Sequence, residues 1–282
     1  MLKQRIITAL ILAPLVIAGI FLLPFPAFVI ALAAITMVGF WEWTQFVDAK
    51  SRWGAMVVPT IALGASIAMM PTDVATLSSI AQSHQHMLLV GGIWWLIAST
   101  LAVTYPSSSS LWSKATSLKY LFGLLTLIPF FWSILMLRAV NYAESPYHGA
   151  KLVMLVCFLV WSADTGAYFS GKRFGKHKMA PAVSPNKTIE GLLGGAILAV
   201  VVTWGGAALM DIPFTSLGGL LLIAVVTVVA SVLGDLVESM FKRVAGIKDS
   251  GTILPGHGGI LDRIDSLTAA LPVFALLYLW LV

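Results

Sequence analysis

A chain of 282 residues is long enough for one or two soluble domains, but 59% hydrophobic residues and a mean hydropathy of +0.94 exclude that class. Only 10% of the residues are charged, and the net charge of +5 has no polar domain to carry it. It therefore reflects membrane topology and anionic headgroups, not nucleic acid. The single cysteine, Cys157, lies in an apolar run and excludes an intramolecular disulfide or a multi-cysteine zinc site.

About nine runs approach the ~20 apolar residues a spanning helix needs: 6–23, 26–46, 54–70, 86–105, 118–137, 151–170, 190–210, 217–240 and 266–282. The first follows Lys3 and Arg5 in the manner of a signal peptide. It meets Pro24-Phe25-Pro26 and a second apolar run without a small-residue cleavage site, so it reads as a retained span. Basic residues set the orientation. With the N-terminus cytoplasmic, the inside segments hold Lys3, Arg5, Lys50, Arg52, Lys114, Lys119, Lys172, Arg173, Lys176, Lys178, Lys187, Lys242, Arg243, Lys248 and Arg263. The outside flanks hold only Arg138 and Lys151, and fifteen against two is a heavy positive-inside bias. The expectation is an all-α polytopic membrane protein with its C-terminus extracytoplasmic. His84-x-His86 falls in a polar extracytoplasmic loop with no third metal ligand nearby.

Intramembrane charge divides the chain. The first five runs carry almost none, apart from Glu42 in Trp41-Glu42-Trp43. From residue 160 onward Asp164, Glu190, Asp235 and Glu238 sit within or at the ends of runs, all toward the cytoplasmic side. Ionisable groups in bilayer helices are costly and normally line a polar cavity. Residues 1–150 thus read as scaffold and lipid-facing wall, and 151–282 as a catalytic half, both within one membrane domain.

The sixth and seventh runs are joined by a basic segment containing Lys172, Arg173, Lys176 and Lys178, then Ser184-Pro185-Asn186-Lys187-Thr188. No G-x4-G-K-[ST] occurs, which excludes a P-loop. The basic cluster is equally an ordinary positive-inside flank. Lys187, just before a helix start, combines an ammonium with exposed N–H groups suited to phosphate. Asp164 is either a metal ligand or a buried partner of Lys187 or Arg263.

The eighth run leads into Asp235, Glu238 and Lys242, spaced i, i+3 and i+7 on one helix face, with Ser239 beside them. The following stretch to Asp265 is too glycine-rich for a continuous helix. It gathers Arg243, Lys248, Asp249, His257, Gly258, Gly259, Asp262 and Arg263. Cations suit phosphates, clustered carboxylates suit a hard divalent metal, and adjacent glycines let backbone approach a ligand. Asp265 or Ser266 alternatively caps the last helix, a role that fits Asp262 poorly.

From Ser239 to Asp265 the pattern S-x-x-K-R-x4-K-D-x-G-x2-L-P-x-H-G-G-x2-D-R-x-D resembles the signature of the phosphatidate cytidylyltransferases at every defined position. The segment from Asp164 to Gly191 is also similar to a loop of that family. The resemblance implies CTP and phosphatidic acid as substrates, Mg²⁺ or Mn²⁺ as cofactor, and a homodimer in the bacterial cytoplasmic membrane; the basic-residue bias, and a nucleotide that cannot cross a bilayer, put the site on the cytoplasmic side. The resemblance further implies Asp235 and Asp262 as the metal-holding carboxylates, with Asp164, Glu238, Asp249 and Asp265 as further candidates. Lys187, Lys248 and His257 join Asp235 and Asp262 as catalytic candidates. Lys172, Arg173, Ser239, Lys242, Arg243, Gly258, Gly259 and Arg263 are candidates for substrate contacts. A secondary transporter would predict repeated halves and broken midplane helices, and neither is evident. A different lipid enzyme using a nucleotide remains the nearer competitor.

Overall fold

The computed structural model of the chain describes residues 2–47, 51–70 and 74–282, without the side chains of 2–6, 9, 74, 75, 78 and 81–83. Lys50 and the side chains of Lys3 and Arg5 therefore lie outside the described residues. The chain order is α1 (Leu2–Leu22), α2 (Phe25–Trp43), α3 (Arg52–Ala55), α4 (Val57–Ala68), a 3-10 segment (Val74–Ser79), α5 (Ile80–Val103), α6 (Ser109–Trp112), α7 (Thr116–Ala139), α8 (His148–Phe174), β1 (Lys178–Ala180), β2 (Ser184–Thr188), α9 (Ile189–Leu209), α10 (Leu217–Ala245) and α11 (Leu261–Leu281). The fold is helical with one correction to the all-α expectation. β1 and β2 form an antiparallel hairpin between α8 and α9.

Among the described residues seven helices are long and apolar enough to cross a membrane: α2, the 84–103 part of α5, α7, α8, α9, α10 and α11. The other two expected runs correspond to shorter apolar stretches, Leu10–Leu22 and Arg52–Ala68. α7 is the central element, with 72% of its most apolar window buried, and Phe131, Trp132, Leu135, Met136 and Leu137 are fully enclosed. α9 is peripheral at 22%, and exposes Leu193, Ile197, Val201 and Trp204. Apolar side chains on both faces of a helix fit one side against protein and one against lipid.

α8 and α9 pack through small residues. Gly166 lies against the Gly194 carbonyl, and a Cβ at Gly195 would stand 2.5 Å from the Ala163 carbonyl oxygen. Such closeness lets dispersion hold two helices together where lipid removes the hydrophobic driving force. The same pairing fixes the hairpin that connects them.

Helix ends turned out longer than hydropathy suggested. α8 continues through Lys172 and Arg173, and α11 begins at Leu261, five residues before the expected start. α5 begins at Ile80, so His84 is helical and 7% exposed, its ring stacked 4.1 Å from that of Trp132. This corrects its placement in a polar loop. Both supposed outside-flank cations are also engaged in packing. Arg138 is 1% exposed; its guanidinium donates to the carbonyls of Ile20 and Pro146 and lies over the Phe28 and Tyr142 rings. Lys151 Nζ donates to Met210 O at 2.9 Å, capping the end of α9.

Candidate functional site

The polar residues collect at the bundle end where α2, α8 and α10 finish and α9 and α11 begin. α10 stops in a left-handed turn: Gly246 has φ 70°, its N–H meets Arg243 O, and Ile247 N–H meets Lys242 O. This Schellman arrangement needs a residue without Cβ. The chain then turns back at Leu254-Pro255-Gly256-His257, with His257 N–H donating to Leu254 O at 2.9 Å and Gly256 at φ 74°. Pro and Gly at those two corners are what a type II turn requires.

Two lysine–carboxylate pairs dominate the cluster. Lys187 Nζ lies 2.7 Å from Asp235 Oδ2 and also donates to Val232 O at 3.3 Å. Ser239 Oγ donates to Asp235 Oδ1 at 3.2 Å. Lys242 Nζ lies 2.8 Å from Asp262 Oδ1 and 3.1 Å from Glu238 Oε1. Glu238 is buried, and beyond this ion pair neither of its oxygens has a hydrogen-bond partner. Asp265 lies within electrostatic range of Asp235, Glu238, Lys187 and Lys242, and Asp164 within range of Asp235, Lys187 and Arg263. Three helices and a hairpin thus contribute ionisable groups to one region.

Asp262 belongs to the first turn of α11, not to the loop. Its Oδ2 accepts from Ser250 N–H and Gly259 N–H, each at 2.8 Å. A carboxylate there satisfies orphan donors and complements the helix dipole. Asp265 and Ser266 lie inside the helix, which removes the capping alternative for both. Gly258, at φ 83°, has Asp262 Oδ2 where its Cβ would be, and a Cβ on Gly259 or Gly251 would run into the Glu42 carboxylate. These glycines are packed against the protein's own carboxylates.

The remaining candidates stand further out. Arg243 Nε donates to Val183 O at 3.1 Å and ties the hairpin to α10. Lys172 lies over the Tyr168 ring at 5.8 Å, while Arg173, Lys248, Asp249 and Arg263 are exposed. The Nδ1 atom of His257 is buried without a hydrogen-bond partner. Glu190 accepts from the backbone of Lys176 and His177 and from the His177 ring, closing the link between α8 and β1.

One contributor escaped the sequence reading. Glu42, 1% exposed at the end of α2, accepts from Ser250 Oγ at 3.1 Å, Ile260 N–H at 2.9 Å and Leu261 N–H at 2.7 Å. Gln45 Nε2 donates to Ser250 O. The isolated charge in Trp41-Glu42-Trp43 was the available signal, but its partners lie more than 200 residues away in sequence.

Among the described residues no three His, Cys, Asp or Glu side chains are gathered as a ready metal site. Lysines pair with the carboxylates instead: Lys187 meets Asp235, and Lys242 lies between Glu238 and Asp262. The donor chemistry is nevertheless all oxygen, and Glu238 is a buried carboxylate whose one close partner is Lys242, which suits a hard divalent cation.

Residues 3–281 match the model of the cytidylyltransferase family. A protein of Haemophilus influenzae named phosphatidate cytidylyltransferase is 44% identical over 290 residues, covering 99% of each chain. A Pseudomonas aeruginosa protein of the same name is 43% identical over 280 residues, covering 99% of this chain and 97% of the relative. One from Bacillus subtilis is 48% identical over 127 residues, 44% of this chain and 46% of the relative.

Proposed function

The chain belongs to the cytidylyltransferase family, and from that premise we propose that it is a phosphatidate cytidylyltransferase. It transfers the cytidylyl group of CTP to phosphatidic acid, giving CDP-diacylglycerol and pyrophosphate. The observation that carries the reading is the pair of lysine–carboxylate couples, Lys187–Asp235 and Lys242–Asp262, gathered at one end of a membrane bundle.

A phosphate monoester has a second pKa of about 6, so the attacking phosphatidate oxygen is largely ionised at neutral pH. No Ser-His-Asp nucleophile is needed. The barrier is repulsion between two anions, which preorganised charge must offset. Lys187 and Lys242 are held by carboxylates before substrate arrives, which presets two positive charges for phosphate oxygens. Arg263, exposed near Asp164, and Lys248 are the candidates for outer phosphate contacts, with Lys172 and Arg173 at the exposed end of α8. His257 is the candidate donor to the leaving pyrophosphate. Asp235 and Asp262, with Glu238 and Asp265 nearby, would hold Mg²⁺ or Mn²⁺, whose charge neutralises the triphosphate.

CTP cannot cross a bilayer, whereas phosphatidate keeps its acyl chains in lipid. A polar cluster at the helix ends, beside lipid-facing α9, serves both substrates. The fifteen-to-two distribution of basic residues supports a cytoplasmic opening in a bacterial inner membrane. A homodimer rests on the family resemblance.

The test is synthesis of a CDP-lipid from radiolabelled CTP and phosphatidic acid by the purified protein in detergent. Product should form with Mg²⁺ or Mn²⁺ and disappear with EDTA. No product from phosphatidate would end the substrate assignment, and full turnover in metal-free buffer would show that the lysines and arginines suffice.

A further inference from the structure

We infer that Glu42, in the half of the chain otherwise devoted to scaffold, is a positioning residue that acts on Asp262 through Ser250. The inference rests on the proposed role of Asp262. Ser250 is fully buried and uses every polar group it has. Its hydroxyl donates to Glu42 Oε2 at 3.1 Å and accepts from Asp262 N–H at 3.2 Å. Its own N–H donates to Asp262 Oδ2, and its carbonyl accepts from Gln45. Glu42 meanwhile takes the N–H groups of Ile260 and Leu261, the two residues that open α11 just before Asp262.

The Asp262 carboxylate is thus held from two sides. Lys242 fixes Oδ1, while Oδ2 depends on Ser250 and Gly259, both of which lie against Glu42. A buried carboxylate with three acceptor contacts would cost far more than it returns if it only filled space. Its placement is explained by the fragile geometry it supports: a glycine-bounded loop that must present one oxygen atom reproducibly.

Glu42→Gln keeps the shape but offers an NH₂ group to donors, so Ser250 or the start of α11 must shift. Melting in detergent should drop as for any buried carboxylate that accepts from three donors, and turnover per folded molecule should fall at least tenfold beyond that. The decisive readout is a cycle with Asp262→Asn. If Glu42 works through Asp262, adding Glu42→Gln to Asp262→Asn should cost less than twofold more, since residues acting as one unit are non-additive. A merely structural contact would give independent losses, and multiplied losses overturn the inference. So does activity that tracks the folded fraction alone. Should Asp262→Asn fail to fold, Ser250→Ala takes its place in the cycle under the same criterion. An active Asp262→Asn protein would instead overturn the role of Asp262, and this inference with it. Normal Glu42→Gln beside an inactive Asp262→Asn removes only the inference.

Discussion

Asp235 and Asp262 have the same charge but different surroundings, and substitution should separate them. The Asp235 side chain is 29% exposed and meets Lys187 and Ser239, whereas that of Asp262 is 5% exposed and accepts from three donors. Asp235→Asn should keep the fold and lower turnover by on the order of a hundredfold, the scale of a lost preorganised electrostatic contact. Asp262→Asn should lose a similar factor and, in addition, about 1–3 kcal/mol of stability, because an amide cannot accept from all three donors. Initial rates and detergent melting curves measured on the same samples check both. Arg138 shows the opposite case. The sequence places it on an outside flank; buried among Ile20, Phe28, Tyr142 and Pro146, it ties α1, α2 and the α7–α8 turn together. Arg138→Ala should cost on the order of 3 kcal/mol, since two carbonyls lose a charged donor, and the loss should appear in the melting curve before it appears in turnover per folded molecule. Residue types revealed where charge sits, but not what it touches.

At the level of elements, the apolar runs located the helices, and hydropathy failed at their ends for a definite reason. The last turn of α8 and the first turns of α11 are polar, so a hydrophobic window stops short of Lys172 and Asp262. The hairpin was missed because five strand residues reading Ser-Pro-Asn-Lys-Thr have no apolar alternation. Its geometry depends on α8 and α9 staying close, and that closeness is testable. Gly195→Ala places a methyl 2.5 Å from the Ala163 carbonyl, a backbone atom that cannot move aside, whereas a methyl at Gly205 meets nothing within 4 Å. The first should lower the melting temperature markedly, on the scale of the 1–3 kcal/mol of an overpacked core. The second should be neutral or slightly stabilising, through helix propensity. Equal melting of the two variants would show that the α8–α9 contact does not limit stability.

Across the whole molecule, every helix that carries an ionisable site residue delivers it to the same end, and this is what makes orientation a functional question. Thr8 near the start of α1 donates to Pro255 O at the site end, while Tyr278 near the end of α11 donates to Pro213 O at the other. Arg138, Lys151 and His84 also belong to the far end. The orientation proposed from the positive-inside count puts the site end in the cytoplasm, where CTP is. Cysteine labelling decides it, and the chain is well suited: its one native thiol, Cys157, is buried and should stay silent. Ser108 would be a poor probe, because it is 6% exposed and donates to Leu101 O, but Ser110 and Ala182 are exposed at the site end and Ser79 is exposed at the other. In intact cells an impermeant maleimide should label a cysteine at Ser79 and leave those at Ser110 and Ala182 unmodified until the membrane is permeabilised. The reverse pattern would place the lysine–carboxylate pairs outside, away from the nucleotide, and the cytidylyl-transfer reading would have to be abandoned together with the orientation.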